Sequence, residues 1–579
     1  MSSLARALGV LACLLSAACS GESDGARESA NTAAPESSSA WFVDATAESG
    51  VDFVHDAGLT PEKHLPETMG AGGALFDMDG DGDLDLYLLQ GGPMPGAGPE
   101  PGTFVAPAGP LPTNRLYSND GRGRFTDVTA HSGAAAHSGY AMGVAVGDLN
   151  GDGHLDLLVT NLGPDVLLLG DGRGSFRDAT RESGIDDARW TTAAACFDAE
   201  GDGDLDLYVT GYVLVDFAHP IWCGERKPGW RSACHPDAYP PLQDRLWLNR
   251  GDGTFVDATQ SHGVADSWGK GLGVQVCDPD DDGDLDLYVA NDSTENRMWL
   301  NDGHGHFEDA TLLSGTGVDG RGLTEAGMGQ ASGDIDGDLD IDLFVTNFDD
   351  ESNTLYLNHG GALFEDRTLQ AGLEAPSRMP VGFGTVLEDF DLDGDLDLAV
   401  TNGHIIDNIQ LYHDGKTHAQ RSQLFENDGT GRLRELRDGA GALGATPFVG
   451  RGLYAGDLDG DGDQDLVLTV CCGAARIFRN VRGSGRSFTL RGLPERTRVE
   501  LLGSKGRRIA REVGPQPSYF GSCGPEVLAS LGGEELVEVL VRVPYSEPVS
   551  VRLDAPLSAG VCTFARAGAT WSAQTTTRR

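Results

Sequence analysis

An acidic nine-residue loop occurs seven times in this chain, starting at Asp77, Asp148, Asp198, Asp278, Asp334, Asp389 and Asp457. Each copy has oxygen-bearing side chains at positions one, three, five and nine. So many carboxylates in a short loop repel one another unless a cation lies among them. Calcium suits such a loop, because it accepts about six to eight oxygen ligands at flexible angles, whereas magnesium requires a stricter octahedron.

All seven loops supply a nearly complete ligand set, in which position seven is expected to contribute its backbone carbonyl. The candidate metal ligands are Asp77, Asp79, Asp81, Asp83 and Asp85; Asp148, Asn150, Asp152, His154 and Asp156; Asp198, Glu200, Asp202, Asp204 and Asp206; Asp278, Asp280, Asp282, Asp284 and Asp286; Asp334, Asp336, Asp338, Asp340 and Asp342; Asp389, Asp391, Asp393, Asp395 and Asp397; Asp457, Asp459, Asp461, Asp463 and Asp465. We therefore expect up to seven calcium ions. Leu339 puts the fifth site in doubt, because it replaces a glycine that normally permits a sharp turn.

Two other interpretations of these loops are available. Acidic turns without metal are one, and seven copies in one register argue against it. An EF-hand shares positions one, three and five, but it requires a bidentate glutamate at position 12 that no copy has. The apolar residues after position nine also indicate a strand rather than a helix.

The loops belong to a longer repeat. Small and apolar residues precede each loop and an apolar strand follows it, as in 73–76 and 84–89. A further strand, a glycine-rich turn and the motif Phe-x-Asp-x-Thr complete the unit, which predicts four short antiparallel strands. The basic repeat of about 50–56 residues fits a blade of a β-propeller.

The count of the Phe-x-Asp-x-Thr motif predicts a closed ring. Copies begin at Phe42, Phe125, Phe176, Phe255, Phe307 and Phe364, and a degraded copy lies at 433–436. None follows the seventh loop, whereas the copy at Phe42 precedes the first. If residues 41–54 supply the outer strand of the last blade, both counts reach seven and no open sheet edge remains. We predict an all-β fold with a seven-bladed propeller over residues 41–480.

These repeats resemble the FG-GAP/VCBS repeat proteins, whose propellers include the integrin α-subunit head. The chain is more closely similar to the cartilage acidic protein family and its bacterial relatives, through His55, His64-Leu-Pro-Glu-Thr-Met-Gly70, Trp222-Cys223, Cys234-His-Pro236 and Thr401-Asn-Gly-His404. The segment 518–528 and Leu531-Gly532 resemble the ASPIC/UnbV domain that ends such proteins. The resemblance implies calcium-stabilised blades and an extracytoplasmic setting, and it supplies no agreed activity.

The C-terminal region is expected to form a small β-rich domain of this ASPIC/UnbV type over residues 481–567. Residues 499–502 and 535–543 are its predicted strands. Residues 568–579 are predicted to be a disordered tail.

The N-terminus resembles a bacterial lipoprotein signal. Residues 1–18 contain Arg6, an apolar stretch at 7–15 and a small-residue cleavage site before Cys19. We expect Cys19 to be lipidated and residues 19–40 to form a disordered tether, which places the protein at the outer membrane or cell surface. Plain secretion or a periplasmic location is the alternative. No later apolar run is long enough for a transmembrane helix, so membrane contact is expected only through the anchor.

Net charge and cysteine content indicate which ligands are disfavoured and in which compartment the protein is found. The chain has 89 acidic and 42 basic residues and a net charge of −47, which disfavours nucleic-acid binding. Ten cysteines indicate an oxidising compartment. Cys223 and Cys234 bracket a short insertion and predict a disulfide; a zinc site is the alternative, but only His235 is a nearby further ligand. Cys523 and Cys562 are expected to form a second disulfide.

Three long insertions fall between the second and third strands of their units, at 91–112, 211–243 and 403–421. This connection lies on the face opposite the acidic loops, and long loops gathered on one face of a rigid ring usually bind ligands. The aromatic side chains of the second insertion leave open whether they stack on sugars or pack within the loop. The histidines of the third, His404, His413 and His418, leave open transition-metal binding.

No nucleophile elbow, phosphate-binding glycine loop or zinc-protease motif is present, so no catalytic residue is assigned. The leading hypothesis is a monomeric, non-catalytic, calcium-dependent scaffold that binds a protein or glycan. The alternatives are a lyase-like, polysaccharide-acting enzyme that uses His404 with Lys416 or Tyr412, and a periplasmic maturation or assembly factor.

Overall fold

The computed structural model describes residues 40–577, apart from 71, 106, 108–110, 137–138, 484–485 and 568–569. The predicted signal peptide, nearly all of the tether and Cys19 lie outside the described residues. Within the described chain, seven sets of four antiparallel strands lie between Phe42 and Asn480, and a later hairpin extends the first set to a six-stranded sheet. None of the described helices is long and apolar enough to cross a membrane.

The sheets are called blades 1 to 7, each given from its inner strand outward. Blade 1 contains Gly73–Phe76, Asp85–Leu88, Arg115–Asn119 and Phe125–Asp127; blade 2, Tyr140–Gly147, Asp156–Leu162, Val166–Gly170 and Phe176–Asp178; blade 3, Thr191–Phe197, Asp206–Gly211, Arg245–Asn249 and Phe255–Asp257; blade 4, Gly271–Cys277, Asp286–Asn291, Arg297–Asn301 and Phe307–Asp309; blade 5, Gln330–Gly333, Asp342–Val345, Thr354–Asn358 and Phe364–Asp366; blade 6, Gly382–Glu388, Asp397–Asn402, Gln423–Asn427 and Leu433–Glu435; blade 7, Gly450–Gly456, Asp465–Val470, Arg476–Asn480 and Phe42–Asp44.

The blades form a ring. Each inner strand contacts the inner strands of both neighbouring blades, and blade 7 contacts blade 1 in this way. Phe42–Asp44 pairs antiparallel with Arg476–Asn480, in the register Phe42↔Asn480. The predicted all-β propeller is confirmed, and the first strand of the chain completes the last blade as expected.

The Phe-x-Asp-x-Thr motif ties the outer strand to the strand beside it in every blade except blade 6, where the motif is degraded. In blade 1, Asp127 Oδ1 accepts a hydrogen bond from Thr129 N (2.9 Å), and Thr129 Oγ1 accepts one from Leu116 N (2.9 Å). A single helical turn begins at this threonine in five blades: Thr46–Ser49, Thr129–Ser132, Thr180–Ser183, Thr311–Ser314 and Thr368–Ala371. The other helices are Pro66–Met69, Glu374–Ser377, Ala442–Ala445 and the 3₁₀ turns Pro236–Ala238 and Ile409–Leu411.

After the propeller, the chain forms a C-terminal module of two four-stranded sheets. One contains Val527–Ala529, Phe488–Arg491, Gly560–Ala567 and Thr570–Thr576, and the other Arg508–Glu512, Arg498–Gly503, Leu536–Arg542 and Val549–Leu557. The two strands predicted here are both present. The prediction of a disordered tail is wrong for Thr570–Thr576, because this strand pairs with Gly560–Ala567 and buries Trp571 in the core of the module.

A short hairpin of the C-terminal module enters the centre of the ring. This channel hairpin consists of Pro517–Ser518 and Gly521–Ser522, and it contacts the inner strands of blades 1, 2, 4, 5, 6 and 7. Ser522 pairs in parallel with Ala74 of blade 1. The aromatic side chains of Tyr519 and Phe520 are fully buried at its tip. The hairpin therefore fills the central channel of the propeller.

The channel hairpin explains why the expected Cys523–Cys562 disulfide is wrong. Both cysteines are unpaired. The hairpin carries Cys523 into the ring, where its Sγ accepts a hydrogen bond from Ala455 N (3.4 Å) of blade 7. Cys562 stays in the apolar core of the C-terminal module, paired in register with Leu490.

The module covers the face of the propeller that carries the acidic loops. Arg498 Nη1 lies 3.0 Å from Asp281 Oδ1 of the fourth loop, and Arg507 Nη2 lies 2.5 Å from Asp395 Oδ1 of the sixth. Tyr545 donates a hydrogen bond to Asp198 O of the third loop (2.9 Å). Because strands two and three are joined at the other end of each blade, the three insertions lie on the opposite, insertion face.

Candidate functional site

The acidic loops are held in shape by bonds between their own carboxylates and backbone. In the first loop, Asp77 accepts hydrogen bonds from Gly80 N (2.7 Å) and Gly82 N (3.0 Å). Asp81 Oδ1 accepts one from Asp83 N (3.0 Å). These bonds curl the loop so that carboxylate oxygens of Asp77, Asp79 and Asp85, at positions one, three and nine, lie within 4.8 Å of one another.

The aspartate at position nine fixes the base of each loop. Asp85 Oδ2 accepts a hydrogen bond from Met78 N (3.0 Å), and Asp85 Oδ1 accepts one from Asn119 N (2.9 Å) at the end of the third strand. Burial raises the pKa of Asp85 to about 7. The fourth loop has Pro279 at position two, which has no N–H, and there Asp286 Oδ2 is buried without a hydrogen-bond partner.

Five loops bring three carboxylates together, with oxygens within 4.8 Å of one another. The groups are Asp77, Asp79 and Asp85; Asp278, Asp280 and Asp282; Asp334, Asp336 and Asp342; Asp389, Asp391 and Asp397; Asp457, Asp459 and Asp461. At position three, the Oδ1 atoms of Asp79, Asp280, Asp391 and Asp459 are buried without any hydrogen-bond partner. A buried, unpaired carboxylate oxygen is costly unless a cation compensates it. The residues of these loops therefore fit calcium.

The second and third loops differ from the other five. They have Asn150 and Glu200 at position three, and neither loop forms a three-carboxylate group among the described residues. Asn150 supplies an amide instead of a carboxylate, and its Nδ2 donates to Asp152 Oδ2 (3.1 Å). Glu200 is one methylene longer than aspartate. From the sequence, only the fifth loop is in doubt, whereas the carboxylate geometry separates the second and third loops from the rest.

In the fifth loop, the doubtful residue adopts the backbone conformation of the glycine it replaces. Leu339 has φ 80°, and the glycines at this position in the other loops have φ between 86° and 101°. The carboxylates of Asp334, Asp336 and Asp342 nevertheless form a group. At position seven, the Oδ1 atoms of Asp284 and Asp463 are also buried and unpartnered, so side chains as well as carbonyls are available there.

An asparagine at the end of the third strand joins neighbouring blades, a role that the sequence did not suggest. Asn119 Nδ2 donates to Leu84 O of its own blade (3.0 Å) and to Leu458 O of blade 7 (2.9 Å). The corresponding residues are Asn249, Asn301, Asn358, Asn427 and Asn480. Blade 2 has Gly170 instead. The signal available in the sequence was the recurrence of this asparagine before the Asp-Gly turn.

On the insertion face, the second and third insertions are joined. Asn408 Nδ2 donates hydrogen bonds to Gly229 O (2.9 Å) and Arg231 O (3.0 Å), and the Tyr412 hydroxyl donates one to Trp230 O. The predicted disulfide between Cys223 and Cys234 is present, with a Cα–Cα distance of 5.2 Å. These contacts make the second insertion an ordered surface.

The histidines of the third insertion do not form a metal group with each other among the described residues. His404 is buried; its Nδ1 accepts a hydrogen bond from Ile406 N (3.0 Å), so its Nε2 carries the proton and donates to Asp349 Oδ2 (3.2 Å). Lys416 Nζ lies 2.5 Å from the same Asp349 oxygen and 2.8 Å from Asp350 Oδ2. These contacts anchor the loop to blade 5.

The FG-GAP-like repeat family matches residues 77–159, 148–209, 334–400 and 389–468 of this chain. Cartilage acidic protein 1 of Homo sapiens is 27% identical over 384 residues, which cover 61% of this chain and 50% of the relative. The Mus musculus protein of that name is 26% identical over 380 residues, 61% of this chain and 52% of the relative. The chain thus spans about half the length of the curated relatives it matches.

Solved structures with some likeness include two lectins. An Agrocybe aegerita lectin that recognises non-reducing terminal N-acetylglucosamine is 14% identical, with a TM-score of 0.35 over 62% of this chain and 82% of that one. The BP39L lectin of Burkholderia pseudomallei is 10% identical, with a TM-score of 0.40 over 72% and 97%. At these TM-scores, the likeness carries no argument about ligands. The chain carries FG-GAP-like repeats on a β-propeller and is homologous to cartilage acidic protein 1 over about three fifths of its length.

Proposed function

We propose that this protein is a calcium-stabilised, non-catalytic binding scaffold that acts outside the cytoplasm and holds a protein or glycan partner on its insertion face. The observation that carries the proposal is the set of buried, unpartnered carboxylate oxygens at position three of four acidic loops. A bound calcium ion would neutralise these carboxylates and hold the two ends of each loop together.

The C-terminal module covers only one of the two faces of the propeller, which supports a role in which the other face binds a partner. The C-terminal module covers the acidic loops, through ion pairs such as Arg498–Asp281 and Arg507–Asp395. The opposite face remains open and presents the three long insertions, two of which are joined by hydrogen bonds. The Cys223–Cys234 disulfide supports an oxidising, extracytoplasmic location. Lipidation of Cys19 and a monomeric state stay predictions.

The alternative of a polysaccharide-acting enzyme loses support. Its suggested base, His404, is buried and both ring nitrogens are already hydrogen-bonded. Lys416 is paired with Asp349 and Asp350, and the Tyr412 hydroxyl is bonded to Trp230 O. None of the three groups is free to transfer a proton to a bound sugar.

The proposal is tested by calcium removal. The purified protein should contain calcium by mass spectrometry, and EDTA should lower both its melting temperature and its binding to partners recovered from glycan arrays or pull-downs. Asp391→Asn, which neutralises a ligand whose Oδ1 atom has no hydrogen-bond partner, should remove about one ion and lower the melting temperature. Asp414→Asn changes an exposed aspartate outside the loops and is the matched control. A melting temperature and binding that ignore EDTA would contradict the proposal.

A further inference from the structure

A groove on the insertion face differs in charge from the rest of this acidic chain. It has a volume of about 630 Å³, and the residues that line it include Pro61, Lys63, Trp222, Arg226, Lys227 and Arg231. None of the described residues that line it is acidic, although the whole chain has a net charge of −47. A cluster of cationic side chains on a protein that is otherwise strongly acidic indicates an anionic ligand.

The aromatic side chain of the groove is held in place and accessible. Trp222 is 42% exposed, and the Arg231 guanidinium lies 4.8 Å from the centroid of its ring. The hairpin that pairs Cys223 with Ser232 and Gly224 with Arg231 fixes these residues, and the Cys223–Cys234 disulfide closes it. Little conformational entropy would therefore be lost when a ligand packs against the indole.

The cations of the groove are incompletely neutralised. Lys63 Nζ lies 2.5 Å from Asp407 Oδ1, Lys227 is paired with Glu225, and Arg231 Nη1 is 4.0 Å from Glu62 Oε1. These three acids stand beside the groove rather than in its lining. Arg226 is exposed and has no ion-pair partner among the residues that the structure describes. One guanidinium thus remains available for a carboxylate or sulfate group.

We propose that this groove binds an anionic oligosaccharide, with Trp222 packing against the face of a sugar ring and Arg226 and Arg231 binding its carboxylate or sulfate groups. This inference rests on the proposed function, because it names the ligand class of the insertion face. An indole offers a flat, rigid apolar surface, and arginine binds oxyanions through parallel hydrogen bonds. Apart from Pro61 and Pro228, the described residues that line the groove include no aliphatic side chain that would anchor an apolar peptide.

Calorimetry on the full, calcium-loaded chain tests the inference with three hexasaccharides: an oligogalacturonate, a heparin-derived sulfated chain and neutral maltohexaose. At least one anionic chain should bind at least about tenfold more tightly than the neutral one, and this affinity should fall as sodium chloride is raised. The carboxylated and sulfated arms distinguish the two sources of negative charge.

Two variants and two matched controls locate the binding. Trp222→Ala and Arg226→Glu should each weaken binding at least about tenfold. Trp268→Ala changes the other exposed tryptophan, and Arg250→Glu reverses an exposed arginine in a turn on the acidic-loop face; both should leave the affinity unchanged.

Equal binding of neutral and anionic chains, no binding of either, or full affinity in both groove variants would overturn the inference. So would equal competition by an acidic peptide such as oligoglutamate, which would make the groove a peptide site. In each case, calcium-dependent capture of another partner on the insertion face would leave the proposed function standing. Loss of all calcium dependence would instead contradict the proposed function.

Discussion

Leu339 is the residue at which the fifth acidic loop departs from the repeat, and its backbone has a strained, positive φ angle. A φ of 80° is unfavourable for any residue with a Cβ, and the other six loops have glycine at this position. We expect Leu339→Gly to raise the free energy of unfolding of the calcium-loaded protein by about 1 kcal/mol, because the relief of strain exceeds the added backbone entropy of glycine. Urea denaturation measures the change.

Leu339→Ala is the matched control for this substitution. Alanine also removes the leucine side chain but keeps the Cβ, so it should give no stabilisation. Equal effects of glycine and alanine would mean that the side chain, rather than the backbone, determines the stability of this loop.

His55 makes stability depend on pH. Burial lowers the pKa of its imidazole to about 4, whereas the ordinary value is near 6.5. Between pH 6.5 and pH 4, His55 is therefore protonated in the unfolded chain but neutral in the folded protein. The free energy of unfolding, which is at its full value above pH 6.5, decreases as the pH falls toward 4. At pH 5 this loss is on the order of 2 kcal/mol. His55→Gln keeps an acceptor for Cys472 N (3.3 Å) and removes the titration.

Urea denaturation of both proteins at pH 7 and pH 5 isolates the contribution of His55. Calcium loss affects wild type and variant alike, so it cancels when their pH-dependent changes are subtracted. The variant should lose less stability than wild type between the two pH values. Parallel losses would show that His55 is not the responsible group.

At the scale of the element, every blade except blade 2 is joined to the blade before it by the asparagine that ends its third strand. Asn358 Nδ2 donates to Pro279 O of blade 4 (2.7 Å) and to Ile341 O of its own blade (3.2 Å). Asn358→Ala would remove both of these hydrogen bonds, so that Ile341 O loses this donor and Pro279 O keeps only Ala362 N (3.1 Å). The substitution should lower the free energy of unfolding by about 2 kcal/mol. His359→Ala changes the next, exposed residue and should have an effect below about 0.5 kcal/mol. Equal effects would refute the joining role.

Elements within one repeat could be predicted from the sequence, because the pattern that defines them is local. The strands around Asp77–Asp85, the outer strand at Phe42 and the insertions between strands two and three all follow from residue types at fixed offsets. The distinction between the loops was harder. It depends on how far Asn150 and Glu200 reach toward their neighbours, which residue identity alone does not determine.

At the scale of the whole molecule, the important contacts join parts of the chain that are far apart in sequence. The channel hairpin is about 450 residues from the blade 1 strand with which it pairs. No repeat or periodicity marks such a contact, and the Cys523–Cys562 disulfide was mispredicted because both cysteines were assigned to one domain. Phe520 O of the hairpin accepts a hydrogen bond from Val144 N (3.3 Å). The Tyr454 hydroxyl donates one to Tyr519 O (3.1 Å), and the Tyr519 hydroxyl donates one to Met69 O (3.2 Å).

Gly521 permits the channel hairpin to lie against the ring. A Cβ at this residue would lie 1.9 Å from Gly73 O, a backbone atom that cannot move aside without disturbing blade 1. Gly521→Val should therefore expel the hairpin and uncover Tyr519 and Phe520, which lowers the free energy of unfolding by at least about 3 kcal/mol. Hydrogen exchange should become faster in inner strands such as Gly73–Phe76, whereas Ser558→Val, an exposed change in the same module, should alter neither property. If Gly521→Val left exchange in the inner strands slow, the hairpin would not be what packs the channel.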